Sequence, residues 1–164
     1  MELPADRLRQ QPRAGAWSAL QAVEHLTIFD GEYLDRVGDR LREHGTSSRK
    51  DFRSSRIGGF IVKMITPGPK SKKIKTFKPF QPAGTPDRSV LQTYREAHAR
   101  LSRFLEQARN ADLTGVRVDS FLTTLVKLPL GDTLKMLVYH DWRHLEQACR
   151  AAGISVGHLE ASEA

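Results

Sequence analysis

His140 and His144 lie four residues apart in Val138-Tyr139-His140-Asp141-Trp142-Arg143-His144-Leu145. On a helix of about 3.6 residues per turn, that spacing points both imidazoles off one face, where a single divalent cation can bridge them. Two nitrogens are too few for a protein metal centre, so the pair needs a further ligand from elsewhere in the chain. His25 is the candidate. It lies in Trp17-Ser18-Ala19-Leu20-Gln21-Ala22-Val23-Glu24-His25-Leu26, on the border of an apolar stripe. A neighbouring helix carrying His140 and His144 would complete a three-nitrogen set inside a bundle, leaving a fourth tetrahedral position for water or substrate. A structural alternative stays open, because a histidine bordering an apolar stripe also serves as a hydrogen-bonded core residue.

The elements that must position these side chains are legible from caps and periodicity. Ser18 is an N-cap with Gln21 three residues later, as in a capping box, and Trp17 precedes it as a hydrophobic staple would. Leu20, Val23, Leu26, Phe29, Tyr33, Leu34, Val37 and Leu41 then recur at helical spacing to about His44. Residues 45–56 are polar and read as a loop, and 57–65 as one or two helical turns ended by Pro67-Gly68-Pro69. Residues 70–86 form a basic, proline-punctuated connection with Phe77 and Phe80 as anchors. Pro86-Asp87-Arg88-Ser89 opens a helix whose apolar face runs from Val90 to Ala108. The stretch 116–127, with Phe121-Leu122-Thr123-Thr124-Leu125-Val126 inside it, fits either a short helix or an extended piece. Gly131-Asp132-Thr133 begins the last long helix, which Gly153 stops, and the tail after Val156 frays. These elements predict an all-α four-helix bundle with one long basic connection between its second and third elements. The chain is expected to be a single domain over 1–164, with 1–16 and 157–164 as frayed termini.

At 164 residues the chain can bury a sizeable core without staples, and the lone Cys149 cannot form an intrachain disulfide. No run of about 18 apolar residues and no signal-peptide pattern is present, so a membrane partner is not expected and the cytoplasm is the expected compartment. Between Arg49 and Lys78 ten basic residues stand against Asp51 alone, a local +9 in a chain of net +7. That segment would attract nucleic acid or another anion, or steer an anionic substrate, but a solvated loop that aids solubility is the simpler explanation. It lacks interleaved stacking aromatics, which weighs against nucleic acid.

Trp17-Ser18 followed by His25-Leu26, the middle Phe77-Lys78-Pro79, and Leu130-Gly131-Asp132-Thr133-Leu134 leading into His140-Asp141-Trp142-Arg143-His144-Leu145-Glu146-Gln147 together resemble the DinB-like superfamily over nearly the whole chain. The resemblance implies a four-helix bundle in which His25, His140 and His144 hold a divalent metal. It also implies a metal-dependent thiol transferase or hydrolase acting on a small-molecule substrate, with a low-molecular-weight thiol as partner. The segment before Trp17 is short, so an initial helical turn common in the family is expected to be truncated or missing. Three neutral imidazoles leave Zn2+ its full charge, which acidifies bound water or thiol, and Ni2+, Fe2+ and Mn2+ accept the same ligands. Gln147, three residues past His144, would hydrogen-bond behind the ligands or contact substrate, and Glu32, seven past His25 on the same face, would act as base or as a hydrogen-bond acceptor behind the ligands. Both also fit as ordinary helix formers on the surface. Competing expectations are a protein that binds metal or ligand without turnover, and a nucleic-acid-associated stress protein using the basic segment. A homodimer through an exposed apolar helix face is a further expectation.

Overall fold

The computed structural model of the chain describes residues 3–44, 51–68, 74–120 and 126–155. Five helices occur among these residues: α1 (Ala5–Arg9), α2 (Ala19–His44), α3 (Arg56–Ile65), α4 (Val90–Ala108) and α5 (Leu130–Ala151). α2 packs along both α4 and α5, and α3 lies against α5, which gives the expected helical bundle. No described helix is long and apolar enough to cross a membrane.

The start of α2 follows from its sequence. Ser18 Oγ accepts from Gln21 N–H at 3.2 Å while Gln21 Oε1 accepts from Ser18 N–H at 3.0 Å, the reciprocal bonds of a capping box. From there Leu26, Phe29, Tyr33, Leu34 and Val37 are buried on one stripe. The end of α5 is equally local. Gly153 adopts φ +66, and Ile154 N–H reaches back to the Cys149 carbonyl at 2.9 Å, a Schellman ending that favours glycine.

Two expectations need correction and one open alternative is decided. The opening segment, expected to fray, holds α1. Leu8 is only 9% exposed, and Arg7 Nε donates to the Ala152 carbonyl at 2.8 Å, so α1 is fixed by capping the last turn of α5. Five residues are too few to show a period, which is why the sequence alone conceals it. Second, of the two states open to 116–127 the described part takes the extended one: β1 (Arg117–Asp119) pairs antiparallel with β2 (Lys127–Pro129), and Val118 and Leu128 face each other in the core. The run Phe121 to Leu125 lies outside the described residues. Third, only one of the two connection anchors is buried. Phe80 sits at the end of a 3₁₀ turn (Lys78–Phe80) and is 7% exposed, whereas Phe77 is 53% exposed.

α3 is seated on α5 through a buried carboxylate. Asp132, fully buried in the first turn of α5, accepts from Ser55 N–H at 2.9 Å, and Ser55 Oγ caps α3 by accepting from Gly58 N–H at 3.0 Å. A Cβ on Gly58 would overlap the Asp132 carboxyl group. That carboxyl is tied to backbone and cannot swing aside freely. Gly58→Ala is therefore expected to cost about 1–3 kcal/mol and lower Tm by roughly 2–4 °C per kcal/mol, read by thermal denaturation.

Candidate metal centre

α2 and α5 bring the three histidines together. One ring nitrogen from each of His25, His140 and His144 lies within 4.8 Å of the others, and the residues are 4, 8 and 9% exposed. Their rings meet edge to face, with centroids 5.0 Å apart for His25 and His140, 4.5 Å for His25 and His144, and 4.6 Å for His140 and His144. Trp17 covers the trio from one side, 5.0 Å from His25 and 6.0 Å from His144. On the other side Phe29 stacks on His140 at 4.0 Å and 28°. The helical period explains His140 and His144; the capping box explains His25, because it fixes where α2 starts and so which residues one and two turns later face α5.

Hydrogen bonds orient two of the rings. His25 Nδ1–H donates to the Phe80 carbonyl at 2.6 Å, and His144 Nδ1–H donates to Gln147 Oε1 at 2.9 Å. In that tautomer each Nε2 keeps a free lone pair. His25 Nε2 and His140 Nε2 are 3.2 Å apart. Two nitrogens bound about 2.0–2.1 Å from one tetrahedral ion stand roughly 3.3 Å apart, so the spacing fits a shared divalent cation. A hydrogen bond between two neutral imidazoles has nearly the same length, so the donor set is compatible with metal and also stable without it.

Electrostatics keep the imidazoles neutral. Burial lowers His25, against the Phe80 carbonyl, which raises it. His140 falls well below its usual range through burial, with the neighbouring His144 and His25 adding to it. His144 is pushed down to about 3 by burial and then by His25. Neutral imidazole is the ligating form.

Behind His140 lies a feature the sequence reading did not single out. Asp30 is fully buried and Asp141 is 4% exposed, and one oxygen of each lies within 4.8 Å of a His140 ring nitrogen. Burial, then the charge of Asp141, pushes Asp30 up to about 9. Asp141 is also raised by burial, although hydrogen bonds from Tyr94 and His98 pull it down. Tyr94 Oη–H donates to Asp141 Oδ2 at 3.0 Å, and the half-exposed His98 Nδ1 lies 3.5 Å from the same oxygen. The signal was present in the pattern. Asp30 stands midway between Leu26 and Leu34, and Asp141 between Leu137 and Leu145, each at a four-residue step on an apolar stripe where a carboxylate is costly.

These groups set the pH profile of the metal-free protein. The depressed histidines contribute stability that is present above about 6.5 and lost as pH falls toward the folded value, about 3 for His144. The raised Asp30 contributes stability that is present below about 3.8 and lost as pH rises toward about 9. Denaturant unfolding at stepped pH is expected to show stability peaking near neutrality and declining on both sides.

The remaining candidates are dispersed. Glu32 is not brought to the histidines: its side chain is 57% exposed and pairs with Arg36 at 3.2 Å. Seven residues is two turns, about 10.5 Å along the axis, and Trp17 and Phe80 cover α2 at His25 but not there. In the basic segment, Arg53, Arg56, Lys63, Lys75 and Lys78 are all exposed.

A family model described as the DinB superfamily matches residues 1–148. No curated protein and no solved structure matches the chain.

Proposed function

The chain belongs to the DinB superfamily, and from that premise we propose that it binds a divalent metal through His25, His140 and His144 and uses the open coordination position for thiol-dependent transfer or for hydrolysis. The observation that carries the reading is the convergence of three buried, neutral imidazoles, two of which already spend Nδ1–H on an acceptor and so turn Nε2 inward. Zinc is the preferred ion because a set of three nitrogens with a free fourth position suits its tetrahedral habit; Ni2+, Fe2+ and Mn2+ are the alternatives a metal analysis must separate. A divalent ion held there supplies acidity to a coordinated water or thiol.

The protein's own groups do the rest. The Phe80 carbonyl and Gln147 fix the His25 and His144 rings, and Trp17 and Phe29 pack against the trio. A cleft of about 290 Å³, lined by Arg9, Gln11, Ser18, Gln21, Gly84 and Thr85, opens one helical turn before His25 and is of a size for a low-molecular-weight substrate. Glu32, exposed and paired with Arg36, has no part in this reading.

Elemental analysis of purified protein beside a His25→Ala/His140→Ala/His144→Ala variant tests the site. Equal metal content in the two samples sinks it. With metal established, small thiols offered together with electrophilic substrates test transfer, and water alone as acceptor tests hydrolysis. Metal retention with neither activity would leave a binding protein without turnover.

A further inference from the structure

His140 differs from its two partners in one respect. The Nδ1 of His25 has a carbonyl acceptor and that of His144 an amide oxygen, but His140 Nδ1 is buried with no hydrogen-bond partner among the described residues. Both oxygens of Asp30 and Oδ1 of Asp141 are likewise buried, and among the described residues they have no hydrogen-bond partner outside that carboxyl pair. An unpartnered ring nitrogen and the oxygens of a buried carboxyl pair thus share one cluster, within 4.8 Å. We infer that Asp30 is the acceptor for His140 Nδ1–H, a positioning residue that completes the set of three oriented imidazoles, with Asp141 as its anionic neighbour.

Two arguments select Asp30 over Asp141. Asp141 Oδ2 already receives Tyr94 Oη–H and lies beside His98 Nδ1, and Asp141 adjoins His140 on the same helix, where side chains one residue apart diverge by about 100°. Asp30 reaches from α2, the helix that carries His25, so its bond to His140 joins the same two helices as the metal itself. Charge completes the case. A divalent ion on the far nitrogen of His140 would place two positive charges one imidazole away from this buried carboxyl pair, which favours an anionic acceptor behind the ring. A carboxylate behind a ligating histidine also strengthens that nitrogen as a donor. The inference rests on the three-histidine reading of the site.

Zn2+ affinity, measured by chelator competition on the full chain, is expected to fall about 10–100-fold in Asp30→Asn. The metal-free variant is expected to be no less stable than the parent, since it loses a buried carboxylate from a carboxylate pair. Affinity falling while stability holds is a combination that a merely structural role would not produce. In the zinc-loaded parent, nitrogen-15 correlation spectra are expected to show a strongly deshielded His140 Nδ1–H, absent from Asp30→Asn. Unchanged affinity in the variant overturns the inference and leaves the metal site standing. A solvent-exchanging, undeshielded Nδ1–H in the zinc-loaded parent overturns it even where the variant fails to fold. A parent that takes up no Zn2+ overturns both readings.

Discussion

Zn2+ is expected to raise the Tm of the parent protein by roughly 5–10 °C at a free concentration near one hundred times Kd, and the rise is expected to vanish in the variant lacking His25, His140 and His144. The size follows from linkage: an ion that binds only the folded state adds about 2.7 kcal/mol at that concentration, and a chain of this length gains about 2–4 °C per kcal/mol. The variant also loses three buried side chains, so its absolute Tm falls whether or not metal ever binds. That loss cancels when each protein is compared with itself, with Zn2+ and with chelator. A parent unmoved by Zn2+ would refute the site. Equal shifts in both proteins would place the metal elsewhere.

What the sequence made legible was whatever is encoded locally. The spacing of His140 and His144 is a helical period, the start of α2 is a capping box, and Gly153 ends α5; each can be read from a handful of neighbours. The approach of Asp30 to Asp141 and His140 is different, because it depends on the register of α2 against α5, which neither helix encodes alone. The hint lay in their positions on apolar stripes, and only a search for misplaced polar residues would have found it. Glu32 shows the converse. A helical wheel places it with His25 but does not tell which length of the helix its neighbours cover. The hairpin escaped for a third reason: strands of three residues are too short to display alternation.

Phe29→Ala is expected to produce the largest loss of stability from a single change near the site. The ring is 4% exposed and joins Tyr33 at 5.0 Å and Phe80 at 5.2 Å to His140 at 4.0 Å. Removing a buried phenyl group costs about 3–5 kcal/mol, which for this chain length lowers Tm on the order of 10 °C. Zn2+ affinity is expected to fall as well, because Phe29 lies between His140 and the segment whose Phe80 carbonyl orients His25. Leu128→Ala is the control. That side chain, on β2, is 2% exposed and belongs to the same core as Phe29, so its truncation costs a comparable ~2–5 kcal/mol without removing a ring that packs on the histidines. Affinity is to be measured well below both melting points, so that unfolding does not mimic weak binding. Weaker binding in Phe29→Ala alone assigns the ring a part in holding His140. Equal weakening in both variants would reduce Phe29 to ordinary packing, and would mean that the metal centre depends on the rigidity of the whole bundle and not on its own wall.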